Sequence, residues 1–103
     1  MRRDALRTTQ TRDGRKVAVW QLVRSSARIL RVQFPCESFT AHRLPSRTPL
    51  PGAQPGTILF DASPDLADAR ELLPRDSDLW DAVQHDYWGA VLSPKNLPNP
   101  LEA

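Results

Sequence analysis

Few side chains in this chain are arranged to carry chemistry, and two of the candidate groups centre on tryptophan. If residues 17–23 and 28–34 are neighbouring strands, Trp20 falls between Arg7 and Arg31 on one sheet face, with Lys16 and Gln33 beside it. An aromatic ring flanked by cations suits stacking on a nucleobase with phosphates held alongside. The same pairing is also a common structural contact between arginine and indole. The second group is Trp88 and Leu92 with His85 and Asp81. A wheel at about 100° per residue puts all four on the polar side of a C-terminal helix. An apolar pair spaced i, i+4 on that side implies a protein partner, self-association, or cover by another part of the chain.

Groups suited to catalysis or metal binding are weaker. Cys36 could pair with His42 or His85 as thiol and imidazole, but no nucleophile motif surrounds it. A small cysteine, buried or half-buried at a strand end, is the simpler expectation. Asp61 ends an apolar run, where catalytic carboxylates often sit, yet it precedes a helix start, where a local backbone hydrogen bond is expected. Asp76, Asp78 and Asp81 fall in or near a first helical turn that the macrodipole already favours, and they lack the spacing of a calcium loop. Cys36, His42 and His85 lack the paired spacing and the fourth ligand of a zinc site. The 4 glycines are scattered, so there is no phosphate-cradling loop. No catalytic residue, metal ligand or cofactor is assigned. An enzyme ranks third among the functions, with Cys36 and Asp61 the first positions to test.

The elements that position these residues follow from periodicity and turn chemistry. Residues 17–23 are rich in β-branched and aromatic types, residues 28–34 alternate apolar and polar, and residues 24–27 form the loop between them. Asp13-Gly14 predicts a type I′ turn, which pairs a preceding strand as Thr11 with Lys16, Thr9 with Ala18 and Arg7 with Trp20. The second loop pairs Val19 with Val32, Val17 with Phe34 and Trp20 with Arg31. One face then collects Val17, Val19, Val23, Leu30, Val32 and Phe34 as the core. The other holds Arg7, Thr9, Lys16, Trp20, Arg31 and Gln33, with Ala18, Leu22 and Ile29.

Further along, residues 38–43 predict a fourth strand and residues 57–61 an interior fifth. The prolines of residues 45–56 rule out a central strand there and suggest an ordered surface loop. Ser63-Pro64-Asp65 predicts a helix with Ser63 as N-cap, carrying Leu66, Ala69, Leu72 and Leu73 inward and stopping at Pro74. Residues 75–78 restart a second helix reaching about Leu92, with Leu79, Trp80, Val83, Tyr87, Ala90 and Val91 as its core stripe. The expected architecture is α+β: an antiparallel meander sheet of four or five strands with both C-terminal helices on one face. A small β-barrel with appended helices is the alternative.

The whole of 103 residues is near the low end of what buries an adequate core, so one domain over residues 1–92 is expected. Residues 1–5 read as a mobile basic lead-in and residues 93–103, with three prolines, as an extended or disordered tail. No apolar run approaches a membrane span and no leader pattern opens the chain. With Cys36 as the 1 cysteine, a reducing, cytoplasmic setting is expected. The formal charge of +2 conceals an imbalance: residues 1–47 hold 11 Lys and Arg against 3 Asp and Glu, residues 48–103 hold 3 against 9. Either a basic sheet neutralises acidic helices, or the basic half meets an anionic partner. The pattern as a whole favours a small non-enzymatic interaction module (an inhibitor, adaptor or accessory protein) binding a protein partner or itself, by Trp88, Leu92, His85 and Asp81. Nucleic-acid binding through Arg7, Lys16, Trp20, Arg31 and Gln33 is the alternative.

Overall fold

Residues 6–92 are described in the computed structural model, so the expected lead-in and tail lie outside the described residues. The first three strands form the expected meander: β1 (Leu6–Gln10), β2 (Val17–Val23) and β3 (Ser26–Gln33). Arg7 pairs with Trp20 and Thr9 with Ala18, the register predicted from Asp13-Gly14. The turn that sets it differs from the expected type. Only Gly14 takes positive φ, at 74°, and its N–H donates to the Thr11 carbonyl at 2.9 Å. Asp13 stays out of the left-handed region because its carboxylate accepts from Arg15 N–H at 3.0 Å and Thr11 Oγ1 at 2.7 Å.

The β2–β3 connection corrects the sequence reading more deeply. Val23 pairs with Ser26, leaving Arg24 and Ser25 as a two-residue loop at φ 51° and 68°. Neither residue advertises that conformation, which costs a non-glycine residue about 1–2 kcal/mol. Farther from the turn, Trp20 pairs with Ile29 but Val19 pairs with Arg31, so Leu30 is an extra residue, a β-bulge. The bulge turns the rest of β3 over. Val32 and Phe34 join Ala27 and Ile29 on the face of Ala18 and Trp20, while Arg31 and Gln33 move to the face of Val19.

Two more strands complete a mixed sheet of order β1-β2-β3-β5-β4. β5 (Thr57–Phe60) inserts antiparallel beside β3 and is interior, as predicted. β4 (His42–Leu44) is shorter than the expected fourth strand and lies outside β5, parallel to it. The expected antiparallel sheet is therefore only partly so, and it does not close into a barrel. Parallel neighbours need a crossover of about a dozen residues, and the Pro-rich segment 45–56 supplies it.

Both helices pack on one face, as expected. α1 (Leu66–Leu72) begins at Asp65, whose carboxylate accepts from Asp68 N–H at 2.9 Å. Ser63 is no cap: its φ is 47°, and the next residue's carbonyl accepts from Ile29 N–H at 2.8 Å, so the chain is tied to β3 before the helix starts. Pro74 ends α1 as predicted and opens a single 3-10 turn, Pro74–Asp76, which runs into α2 (Ser77–Val91). Leu79, Trp80, Val83 and Ala90 of α2 are buried, with Tyr87 half-buried beside them. They meet Ala18, Trp20, Ile29, Val32, Phe34, Ile58 and Phe60, so the core lies on the face of Trp20 rather than that of Val19. The Trp80 indole closes the α1–α2 corner by donating to the Leu73 carbonyl at 2.9 Å.

The Tyr87 hydroxyl donates to the Ser25 carbonyl and so anchors α2 to the strained β2–β3 turn. Ser25→Gly removes the left-handed penalty at one of the two positions while loosening the unfolded chain. A net stabilisation of about 0.5–1 kcal/mol is expected, read as a higher urea midpoint at unchanged slope.

Candidate functional site

α2 carries the first candidate group. Trp88 is 49% exposed and Leu92 60% exposed, one turn apart on the side away from the sheet. Asp81 and His85 are exposed as well, His85 on the flank of α2 toward β1. All four residues of the expected group are exposed positions in or at the end of α2. The Trp88 ring rests edge-on against Tyr87, centroids 5.3 Å apart, and Tyr87 is itself held by Ser25. Trp88 is thus an outward apolar side chain with a fixed base. Asp81 is engaged by Arg70 at 3.1 Å, which links the outer surfaces of the two helices.

The basic, Trp-bearing group does not form one surface. Trp20 is 1% exposed and lies beneath α2, so its ring faces are not open to a base. Its indole N–H donates to Thr9 Oγ1 at 2.9 Å, and that hydroxyl donates to Asp86 Oδ2 at 2.5 Å. Arg7 lies over the indole at 5.7 Å, the structural contact weighed against the nucleobase reading. Lys16 is taken up by Asp78 at 2.8 Å and Asp76 at 3.1 Å. Arg31 and Gln33 stand on the opposite face, moved there by the bulge. Neither Thr9 nor Asp86 was singled out in the sequence. Their meeting joins residues 77 apart, and the one general signal is that a buried indole N–H needs an acceptor.

The remaining candidates also separate. Cys36 is exposed. His42 packs on Phe39, ring centroids 5.6 Å apart, with Nδ1 3.0 Å from the Thr40 carbonyl. His85 lines a cleft of about 280 Å³ between β1 and α2, with Arg7, Thr8, Asp86 and Gly89. Asp61 accepts from Ser46 N–H at 3.0 Å and faces Arg43 at 3.7 Å, so it fastens the turn after β4 instead of the helix start. Among the described residues, no three His, Cys, Asp or Glu side chains come together in a way that could hold a metal ion.

Charge is sorted by layer. The five strands contain Arg7, Arg28, Arg31 and Arg43 and no Asp or Glu. The two helices and the turn between them carry Asp68, Glu71, Asp76, Asp78, Asp81 and Asp86 against Arg70 and Arg75. Among the described salt bridges, those of Lys16 are the ones that join the strand layer to the helix layer, while Arg43 and Asp61 pair at the β4 side of the sheet. The helix-free face presents Arg28, Arg31 and Arg43, with Leu59 between the last two in the register and Val19 on the far side of Arg31. No described helix is long and apolar enough to cross a membrane.

Compared with protein-family models, with curated proteins and with solved structures, the chain matches none. Its functional reading therefore rests on these surfaces.

The hydrogen bond to Asp78 holds the Lys16 ammonium above its ordinary value, and the same bond holds the Asp78 carboxyl below its own. The acid side of the pair stabilises the fold above the ordinary carboxylate range and is lost as pH falls through the lowered Asp78 value. The lysine side is present at neutral pH and lost as pH rises through the raised Lys16 value. With Asp78 57% exposed, solvent screening limits the contribution. Lys16→Met should cost at most about 1 kcal/mol at neutral pH. Paired denaturant titrations should show that difference closing at both pH extremes.

Proposed function

We propose that the protein is a non-enzymatic interaction module that binds a protein partner through the outer face of α2, acting as an inhibitor, adaptor or accessory protein. The observation that carries this reading is the outward pair Trp88 and Leu92, left exposed on a helix whose other apolar residues are buried or half-buried. Buried aromatic anchors supply much of the affinity at protein interfaces, and Trp88 is pre-positioned by Tyr87. His85 and Asp81 form the polar surround, and the acidic helix layer favours a partner with a basic rim. Trp88→Ala should weaken partner capture at least tenfold, about 1.4 kcal/mol, with the melting temperature little changed. Capture that survives, or a collapse of stability, counts against the reading.

A second reading is favoured by the helix-free face, where the strands place Arg28, Arg31 and Arg43 and carry no acidic residue themselves. Asp61, just beyond β5, faces Arg43 alone of the three among the described salt bridges. Such a surface suits phosphates, with no stacking role for the buried Trp20. Binding of single-stranded DNA should then weaken with rising salt and fall further in Arg31→Glu. Binding indifferent to both changes removes this reading.

A further inference from the structure

The two edges of the sheet are treated differently. Beyond β4, the crossover segment returns alongside the strand: Arg43 N–H donates to the Thr48 carbonyl at 2.8 Å and Leu50 N–H to the Ala41 carbonyl at 2.7 Å. His42 bridges to Pro49, and proline has no N–H to offer a further strand. That edge is covered and capped. Among the described residues, the β1 edge has neither protection. Its sequence, Leu-Arg-Thr-Thr-Gln, contains no proline, no lysine and no acidic residue, and no described strand lies beyond it. Thr11 N–H points inward to the Lys16 carbonyl, so by ladder alternation Thr9 and Arg7 also point inward. The N–H and C=O groups of Leu6, Thr8 and Gln10 are left facing outward.

We propose that β1 pairs antiparallel with β1 of a second copy of this chain, about a two-fold axis at Thr8, to give a continuous ten-stranded sheet. In that register Thr8 faces Thr8 of the other copy and Leu6 faces Gln10, so the outward backbone groups of both copies satisfy one another. Charge complementarity selects the second copy as the occupant. Arg7 and Thr9 lie on the helix side of the sheet, and the register sets each Arg7 opposite Thr9 of the other copy. Thr9 is the residue whose hydroxyl is bonded to Asp86. Each Arg7 has the indole of Trp20 beneath it and no acidic partner among the described residues. Its guanidinium is brought within reach of the other copy's exposed Asp86 carboxylate, and the exchange occurs twice by symmetry. The two arginines do not face each other, as they would if the axis passed through Arg7. Gly89 lies on the β1 flank of α2 beside Arg7, and a Cβ built there meets nothing within 4 Å, so it leaves room for the second helix. This pairing leaves the Trp88 surface on the outside of the assembly, and it does not rest on the reading given to that surface.

Light scattering on a sizing column tests the pairing. The wild-type chain should run at about twice its mass of 11.6 kDa. Thr8→Lys sets like charges opposite each other at the axis while altering an exposed residue of the single chain. It should run as a monomer with an unchanged circular dichroism spectrum. A second test fixes the register in a Cys36→Ser background, which removes the exposed native thiol. Thr8→Cys should form an intermolecular disulfide in air, because facing Cα atoms in such a pair lie about 5.5 Å apart. Gln10→Cys should not, since the register separates the two copies of residue 10 by roughly 13 Å along the strands. A wild-type chain that stays monomeric at every concentration overturns the proposal. So does a dimer that resists Thr8→Lys but dissociates with Trp88→Ala, which places self-association on α2. Equal cross-linking by both cysteine variants overturns the register.

Discussion

Leu30 and Arg31 together oppose one residue of β2, and that irregularity decides which side of the sheet can be buried. A strictly alternating β3 would divide its apolar residues, with Ala27 and Ile29 on one face and Val32 and Phe34 on the other. Neither half would cover a helix well. The bulge gathers all four beside Ala18 and Trp20, and the helices settle where the apolar area is greatest. Burying Trp20 brings its indole N–H to Thr9 and Thr9 to Asp86, which ties α2 to β1. The orientation of α2, and with it the outward direction of Trp88, follows from that tie and from the bond between Tyr87 and Ser25.

The same event separates the charges. Once Trp20 and its neighbours are covered, Arg31 and Arg28 remain on the uncovered face with Arg43, away from the acidic helices. The molecule is polar across its thickness, basic on the strands and acidic on the helices. Lys16 and its two aspartates form the described salt bridge across the boundary. Such a distribution orients encounter with a charged partner and adds little to the fold's own stability.

The edges carry a related lesson. Natural sheets protect exposed edges by proline, charge or cover, and here the Pro-rich crossover does so for β4 alone. A cluster of prolines that looked in the sequence like a surface feature therefore works as part of the sheet. Its position outside β4 follows from β5 entering the sheet between β3 and β4, which makes the last pair parallel.

Local chemistry was legible from the residues alone. The β1–β2 register, the stop of α1 at Pro74, the extent of α2 and its outward Trp88 and Leu92 all depend on near neighbours in the chain. So does the α+β class with both helices on one face. The spacing of Ala27, Ile29, Val32 and Phe34, with its step of three between Ile29 and Val32, marks the bulge once it is known to be there. Three matters were decided only by the assembled fold: the face of the sheet that is buried, the place of β5, and the partners of Trp20, Lys16 and Asp61. Each depends on segments far apart in sequence competing for the same apolar surface or hydrogen-bond donor, and strand periodicity, which is blind to a one-residue insertion, cannot rank those competitors.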